Sequence, residues 1–312
     1  MKANNDTAMT YEQFSQKVIK HLGRYNRWEK GTWRGVEYDH IVEIPGKSKL
    51  DTIREIMRND GLTEQELDLF TKPHRDAHHL NSSQVLCYEF FRPMMTVGNP
   101  GVKCGQANKR LVDFVKEALG VIITENAVCQ FEYEDKTTQK NFKQFVQGKG
   151  NGEKSSFDFH IQDGNMEIYF EIKFTEPSFG GWTKNKKTSD KAIENHCVYI
   201  QEGYKPMLEK SLYFKKECKN DIEAIKKAEF SDPHQLFNKH YQLFRNALKA
   251  DANTYTVFIY PNANPGPQHE FEDFKKSYLV DGQNHIIALR WEDLKPYIEL
   301  EKFKEKYIQV LE

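Results

Sequence analysis

The sequence contains no long apolar run. No stretch approaches the ~18 consecutive apolar residues that a membrane-spanning helix needs. The first residues, MKANNDTAMTYEQ, are polar and lack the apolar segment of a secretory signal peptide. We therefore expect a cytoplasmic protein with no membrane partner.

Cysteine is also scarce. The chain has five cysteines, an odd number, and no two of them form a CxxC pair. This distribution predicts reduced thiols and argues against a disulfide framework or a zinc knuckle.

Neither sign of charge dominates. Lys and Arg number 45 against 46 Asp and Glu, which gives a formal net charge of -1. Bulk charge therefore does not attract the chain to nucleic acid, and binding to an anionic partner would depend on local basic patches. The 312 residues, of which 38% are hydrophobic, suffice for one large domain or two ordinary ones.

The first hundred residues are predicted to form a mainly helical extension, 1–100. Apolar periodicity predicts helices over 10–22 and, in two pieces, over 50–70. A third helix is predicted to start at Asn81 or Ser82 and to end before Pro93. One strand is predicted in this part, within YDHIVEI.

The rest of the chain, 101–312, has the pattern of an α/β protein. An amphipathic helix over 106–119 is followed by the strand segments AVCQFEYE, SFDFHIQ and NMEIYFEIKFTE. A helix over 233–250 leads into the strand YTVFIYP, and a helix over 270–279, a strand over 285–290 and C-terminal helices complete the chain. This order predicts a mixed central sheet flanked by helices.

The segment SSFDFHIQDGNMEIYFEIKFTEPSFGG predicts a β-hairpin with charged residues among aromatic ones. We take Asp163 and Gly164 as its two-residue turn, which pairs Asp158 with Tyr169. Because side chains alternate between the faces of a strand, Asp158 then shares a face with Glu171 and Lys173. The other face is predicted to be apolar core, formed by Phe157, Phe159, Ile161, Ile168, Phe170, Ile172 and Phe174.

The two carboxylates on the charged face predict a cation site. Asp158 and Glu171 are expected as diagonal neighbours with Cβ atoms roughly 7 Å apart. They repel each other unless a cation lies between them, and a hard divalent ion with oxygen ligands suits the gap. Lys173 would point at whatever the ion holds, an arrangement suited to phosphodiester hydrolysis. The alternative is a solvated face on which Glu171 and Lys173 form a surface pair.

These residues resemble the PD-(D/E)XK nuclease superfamily, in which an acid and an E-x-K on successive core strands bind magnesium and cleave DNA. Asp158, Glu171 and Lys173 match those positions, although Phe157 stands where the proline of the name would be. The ordered segments HHLNSSQVLCYEFFRPM, FDF, EIKFTEPSFGGW and HYQLFRNALKA are similar to an uncharacterised bacterial restriction-endonuclease-like family. The resemblance covers roughly residues 30–260.

The resemblance implies a restriction-endonuclease-like core and a bound Mg²⁺ ion, for which Mn²⁺ would substitute. The implied ligands are Asp158, Glu171 and the backbone carbonyl of Ile172, with Lys173 as a catalytic group. We therefore expect a DNA endonuclease of restriction or defence, working as a homodimer or with a defence-system partner protein. Two alternatives stay open: a catalytically silent DNA-binding or structural module on this fold, and a nuclease that acts on RNA or nicks DNA within a larger complex.

Further polar residues are predicted to support the site. The superfamily often adds an acid from a helix before the first strand, and polar side chains on neighbouring elements would approach the metal or the DNA. An ordinary solvated helix position is the alternative for the helix acids and for Gln242 and Arg245, whereas Glu176 would either orient Lys173 or simply end the strand. The candidates are Glu89, Asp113, Glu117, Glu176, Gln84, Gln242 and Arg245.

Two lysine-rich segments, 136–154 and 184–191, lie on either side of the hairpin in sequence. They contain five and four lysines, each against one acid. Positive charge at these places is the expected footprint of contacts to DNA phosphates, although lysine-rich loops also serve solubility. The candidate DNA-binding residues are Lys149, Lys154, Lys184, Lys186 and Lys187.

Three other patterns carry less weight. GKGNGEK lacks the spacing and the preceding strand of a P-loop. YDHIVEIP is similar to the start of an HNH nuclease, but convincing later Asn and His partners are missing. HRDAHH offers His74 and His78 as a metal pair at i, i+4, with no evident third ligand.

Overall fold

The computed structural model describes residues 9–71, 73–96, 104–135, 156–181, 194, 204–218 and 240–312. Its helices are α1 (Tyr11–Gly23), α2 (Lys49–Asn59), α3 (Glu64–Leu67), α4 (Ser83–Phe91), α5 (Lys109–Phe114), α6 (Lys205–Lys210), α7 (Tyr241–Ala247), α8 (Pro265–Tyr278) and α9 (Glu301–Phe303). Its strands are β1 (Glu29–Trp33), β2 (Val36–Glu43), β3 (Gly105–Gln106), β4 (Val128–Glu134), β5 (Ser156–Asp163), β6 (Met166–Ile172), β7 (Thr254–Tyr260) and β8 (Ile286–Arg290). Short 3₁₀ or π-helical segments lie at Arg92–Met94, Val115–Leu119, Trp291–Tyr297 and Lys304–Ile308.

A six-stranded mixed sheet forms the centre of the fold, in the order β3-β4-β5-β6-β7-β8. Each neighbouring pair among the first four strands is antiparallel, and β5 and β6 are joined directly by a tight turn. β6, β7 and β8 are parallel to one another, which requires longer connections that contain α7 and α8. The predicted α/β class with a mixed sheet flanked by helices is confirmed.

Helices cover both faces of this sheet. On one face, aromatic residues of α4 pack on the hairpin, and the rings of Phe91 and Phe159 stack with centroids 4.1 Å apart. On the other face, Phe258 of β7 packs in a separate cluster with Phe244 of α7 and Phe274 of α8. The first cluster holds most of the apolar face predicted for the hairpin.

The predicted register of the hairpin is wrong by one turn residue. Asp163 pairs with Met166, so the turn residues are Gly164 and Asn165 instead of Asp163 and Gly164. Gly164 has a φ of +61°, and a turn of the II′ type favours glycine at its first central position. Continuing this register brings Asp158 directly opposite Glu171, and the two remain on one face because the pairing moves by two residues.

Phe157 is an exception to the predicted core face. The β5–β6 ladder ends at the pair Phe159–Phe170, and beyond it the strands separate. The ring of Phe157 lies 4.6 Å from the ring of Tyr169, which is on the charged face of the hairpin. The alternation of faces therefore fails at the end of the strand where Asp158 lies.

The first hundred residues contain the predicted helices and one strand more than predicted. Thr10 caps α1 with a capping box, and β2 pairs with β1 through a turn at Arg34 and Gly35. The main apolar cluster joins Phe14 of α1 to Leu311 near the C-terminus. The division into folding units at residue 100 stays a prediction.

Some predicted helices differ from the observed ones in extent. The helix predicted over 106–119 begins at Lys109, because Gln106 belongs to β3 and Asn108 caps the helix. The helix predicted over 233–250 is described from residue 240 onward as α7, and its earlier part lies outside the described residues. The helix predicted over 270–279 begins earlier, at Pro265, because Asn264 caps it and proline fits the first helical turn. In the part of the chain that is described, no helix is both long and apolar enough to cross a membrane.

A buried ion cluster ties the C-terminus to the N-terminal helices. Lys306, 1% exposed, places its ammonium 2.6 Å from Asp60 and 3.5 Å from Glu89. Burial raises the pKa of the Glu89 carboxyl, although Lys306 opposes this effect. For the ammonium of Lys306, burial acts to lower the pKa, but the two carboxylates outweigh it and raise the pKa. The ammonium of Lys306 is thus the cation that both buried acids share.

We expect Lys306→Met to reduce the free energy of unfolding by about 3 to 5 kcal/mol, because it leaves two acids buried without their cation. Lys304→Met is the matched control, since Lys304 contacts the exposed Glu301 on the same segment. Urea unfolding of both variants at neutral pH measures the difference. Equal stability of the two variants would contradict a structural role for this cluster.

Candidate functional site

The three residues of the predicted acid–acid–lysine set converge where β5 and β6 separate. Past the last ladder pair, the carboxylate of Asp158 accepts the backbone N–H of Ile172 at 2.6 Å. The ammonium of Lys173 lies 2.9 Å from Oε1 of Glu171. Asp158 thus provides the acceptor that a backbone carbonyl of a neighbouring strand would provide in a regular ladder, and its carboxylate is fixed beside the E-x-K segment.

Glu171 is held from a second direction by α7. Its carboxylate is 3% exposed, and it accepts hydrogen bonds from the amides of Gln242 at 2.6 Å and Asn246 at 3.0 Å. With Lys173, these amides give both oxygens of Glu171 a fixed direction. The predicted accessory residue Gln242 therefore contacts a site residue directly.

A close approach of two backbone segments makes room for Gln242. Its backbone N–H donates to the carbonyl of Gly180 at 3.0 Å. Gly180 has a φ of +115°, and a Cβ atom there would lie 2.7 Å from Oε1 of Gln242. A glycine in the segment EPSFGGW is therefore needed for α7 to reach Glu171.

Neighbouring charges shift the pKa values of Asp158 and Lys173. Burial raises the pKa of Asp158, and repulsion by Glu171 adds to the effect, while Lys173 opposes both. Burial acts to lower the pKa of Lys173, but attraction by Glu171, Glu176 and Asp158 outweighs it and raises the pKa. Lys173 is therefore a fixed ammonium, and Asp158 favours a proton when no other cation neutralises it.

This donor set fits a hard divalent cation. Asp158 and Glu171 offer carboxylate oxygens, and a cation between them would offset the burial and the repulsion by Glu171 that raise the pKa of Asp158. Within the described residues, no three side chains of His, Cys, Asp and Glu come together as a ready-made metal cage. Mg²⁺ does not require one, because it is usually held by one or two carboxylates together with water and substrate phosphates.

A glutamate and a histidine that the sequence did not assign to the site also lie beside it. The β4–β5 register brings Glu132 opposite Asp158, and the charge of Glu132 contributes to the raised pKa of Asp158. Nε2 of His74 lies 2.8 Å from Oε2 of Glu132. The spacing in HRDAHH suggests His74 as half of a metal pair with His78, but the observed partner of His74 is Glu132.

Two more predicted accessory residues lie near this group. Glu176 accepts the backbone N–H of Phe174 at 2.7 Å, and its charge acts on Lys173. Gln84 is buried, and its side-chain oxygen accepts the backbone N–H of His74 at 2.8 Å. Gln84 therefore supports the segment that carries His74.

The other candidate acids have partners elsewhere. Glu89 belongs to the Lys306 cluster, and Asp113 forms a surface ion pair with Lys109. Glu117 is exposed and accepts a hydrogen bond from Tyr297 at 3.2 Å. None of these contacts joins the three acids to Asp158 or Glu171.

Of the predicted cationic residues, Arg245 lies among the described residues and the five lysines do not. The guanidinium of Arg245 on α7 lies 5.6 Å from the ring centre of Tyr241. The five candidate DNA-binding lysines lie outside the described residues: Lys149, Lys154, Lys184, Lys186 and Lys187. Their contact with DNA stays a prediction.

Asn246 is a functional candidate that sequence reasoning missed. It follows Gln242 by four residues, so both side chains point from one face of α7. The sequence could have indicated Asn246, because a residue four positions after Gln242 lies on the same face of the helix and can reach the same site. For Glu132 the signal was weaker, since alternating charges are ordinary in a strand.

A family sequence model described as "Restriction Endonuclease associating with ARP" matches residues 36–310. The match contains every residue of the site described above, from His74 to Asn246. No curated protein and no solved structure matches the chain.

We expect the affinity for Mn²⁺ to increase as the pH rises through the acid range toward neutrality. Asp158 has a raised pKa, so at low pH a proton occupies the carboxyl that the cation needs. Calorimetric titration at several pH values measures both the affinity and the protons released. In Asp158→Asn we expect weak binding with little dependence on pH. Binding that is strong and independent of pH in both proteins would remove Asp158 from the ligand set.

We expect Asn246→Ala to lower the affinity for Mn²⁺ by about ten- to a hundred-fold, because Asn246 orients a carboxylate without being a ligand itself. Asn262→Ala, at an exposed position beyond β7, is the control. The same calorimetric titration, with a thermal melt of each variant, measures the effect. An affinity equal to that of the control would show that the orientation of Glu171 does not depend on α7.

Proposed function

Since the chain belongs to the family described as restriction endonuclease associating with ARP, we propose that it is a magnesium-dependent endonuclease that hydrolyses DNA phosphodiester bonds. Its finer assignment to the PD-(D/E)XK nuclease superfamily, which the pattern Asp158, Glu171 and Lys173 resembles, is part of this proposal. A role in restriction or another defence against foreign DNA follows from the family, and the cytoplasm is its expected location.

The observation that carries the proposal is the fixed position of Lys173 beside two coupled carboxylates. Its side chain is 13% exposed and lies 2.9 Å from Glu171, which is itself buried and held by α7. A surface Glu-x-Lys pair would be solvated and free to move. Withdrawing a carboxylate and its ammonium partner from solvent is costly, and titratable groups held in this way mark functional sites more often than ordinary surface.

The metal ion would be held by Asp158, Glu171 and the backbone carbonyl of Ile172. When bound, Mg²⁺ supplies Lewis-acid polarisation of the phosphate and lowers the pKa of a bound water. Glu171 contributes a carboxylate whose direction Gln242 and Asn246 fix. Lys173 contributes an ammonium that positions the attacking water or stabilises charge that develops on the phosphate.

Binding to the DNA backbone requires positive charge, because the carboxylates of the site repel phosphates. The lysine-rich segments 136–154 and 184–191 supply it in this proposal, with Lys149, Lys154, Lys184, Lys186 and Lys187 as the contacts. Both segments lie outside the described residues, but both are directly connected in sequence to the elements that carry the site.

Partners follow from the same family. Its description names association with ARP, so a partner protein is part of the proposal. One site cuts one strand, and double-strand cleavage would therefore involve a homodimer. Two other functions compete: a silent DNA-binding module, against which the buried Lys173 argues, and a nuclease for RNA or for nicking DNA.

Cleavage is tested first with wild-type protein on methylated and unmethylated plasmid, single-stranded DNA and RNA, each with Mg²⁺ or with a chelator. Metal-dependent cutting of DNA supports the proposal. Cutting of RNA alone, or binding without cutting, favours one of the alternatives.

We expect Lys173→Ala to lower the single-turnover rate on the DNA that wild type cuts by about a hundred- to a thousand-fold, because one preorganised charge is lost. Binding of Mn²⁺ should persist, since the lysine is not a ligand. Lys116→Ala, at an exposed position after α5, is the matched control and should cut like wild type. A Lys173→Ala protein that cuts within a few-fold of wild type would contradict the mechanism.

A further inference from the structure

The backbone of β4 is strained at Glu132. Its φ of +50° is uncommon for a residue with a side chain, and within the described residues Arg34 is the other non-glycine with a positive φ. Such a conformation costs on the order of 1 to 3 kcal/mol and persists when its surroundings impose it. Phe131 and Tyr133 on either side keep their pairs with β5, so the distortion is confined to the residue opposite Asp158.

The strained residue holds a histidine. Oε2 of Glu132 lies 2.8 Å from Nε2 of His74, and Gln84 accepts the backbone N–H of His74 at 2.8 Å. A proton on Nε2 directed at the carboxylate leaves Nδ1 as the nitrogen that exchanges a proton with another group. The side chain of His74 is 60% exposed, so the imidazole is anchored at one end and accessible at the other.

The pair is electrostatically connected to the proposed catalytic centre. The hydrogen bond that His74 donates to Glu132 raises the pKa of His74, while the nearby ammonium of Lys173 acts to lower it. Glu132 in turn acts on Asp158. His74 therefore lies within the field of both groups, and it is more readily protonated near neutral pH than an ordinary histidine.

We propose that His74, oriented by Glu132, donates the proton that the leaving oxygen needs in phosphodiester hydrolysis. This inference rests on the proposed nuclease function. The oxygen of a water forms a bond to phosphorus as the bond from phosphorus to the leaving oxygen breaks. The leaving oxygen takes the proton from Nδ1 of His74, and the water releases a proton to solvent. Solvent then returns a proton to His74, so the net reaction adds one water. Lys173 remains an ammonium throughout and supplies charge.

A second metal ion held by His74 and Glu132 is the competing use of the pair. The side chains of one histidine and one carboxylate give two ligands, and within the described part of the chain no third His, Cys, Asp or Glu completes a cage there. The 2.8 Å between Nε2 of His74 and Oε2 of Glu132 is the length of a direct hydrogen bond. The geometry therefore favours proton transfer.

The leaving group provides the sharpest test. Two versions of a DNA duplex that wild type cuts are prepared. One has the natural leaving oxygen at the cleaved bond, and the other has sulfur in place of that oxygen. Cleavage of both is measured in Mn²⁺ under single-turnover conditions. Sulfur leaves without a proton. We expect His74→Gln to cut the oxygen substrate about a hundred- to ten-thousand-fold more slowly than wild type, but the sulfur substrate within a few-fold. His269→Gln, at an exposed position on α8, is the control.

A second measurement does not depend on activity. NMR titration of the histidine ring protons should give His74 a pKa above its ordinary value in wild type and a lower pKa in Glu132→Gln, because the hydrogen bond to the carboxylate is lost. Glu132 is a positioning residue that raises the pKa of His74. In Glu132→Gln, His74 should therefore lose its proton at a lower pH, and cleavage should decline at that lower pH as well.

The possible results distinguish the role of His74 from the nuclease function itself. A His74→Gln protein that cuts the oxygen substrate like wild type, or that is equally slow on both substrates while still folded, overturns the role of His74 and leaves the nuclease proposal intact. Loss of one equivalent of bound Mn²⁺ in His74→Gln would assign the pair to a second metal ion instead. His74→Asn is the substitute variant if His74→Gln does not fold. A wild-type protein that cuts neither DNA nor RNA overturns the proposed function and the inference together.

Discussion

The buried carboxylate of Glu171 is the constraint on which the site depends. A carboxylate at 3% exposure is tolerable when both of its oxygens have hydrogen-bond partners, and here Gln242, Asn246 and Lys173 are those partners. The same contacts tie α7 to the sheet beside β6. Packing and function are thus linked, because a helix that satisfies the acid also fixes its direction.

Two of the acid–lysine groups described above, at Lys306 and at the hairpin, differ in one respect. At Lys306 the ammonium is placed against both Asp60 and Glu89, and the cluster joins distant parts of the chain. At the hairpin, Lys173 contacts Glu171, and Asp158 directs one oxygen to a backbone N–H. In both groups one ammonium faces two acids. In the first group the ammonium contacts both acids, whereas in the second Lys173 contacts Glu171 and, within the described residues, no cation lies in contact with Asp158.

The separation of β5 from β6 creates the space for that chemistry. A regular ladder through Asp158 would use the backbone groups of both strands and direct the side chains to a flat face. Here the ladder stops at Phe159, and Asp158 and Glu132 lie together at the opening. The strained φ of Glu132 belongs to the same distortion, so the irregular end of the sheet is where the polar side chains converge.

The sequence by itself determined the local features: the hairpin, the α/β order of elements, and the shared face of Asp158, Glu171 and Lys173. These follow from the two-residue period of strands and from turn and cap residues, all of which act over a few positions. The register error at Gly164 did no harm to the face assignment, because moving the turn by one residue shifts the pairing by two.

The tertiary structure decided which distant groups meet. Asn246 reaches Glu171 across 75 residues, Glu132 reaches His74 across 58, and Lys306 reaches Glu89 across 217. No local period encodes such contacts, since they depend on which helix covers which face of the sheet and on where the strands separate. For that reason the sequence indicated the acid–acid–lysine set, whereas its supporting amides, the glutamate–histidine pair and the structural partner of Glu89 required the folded chain.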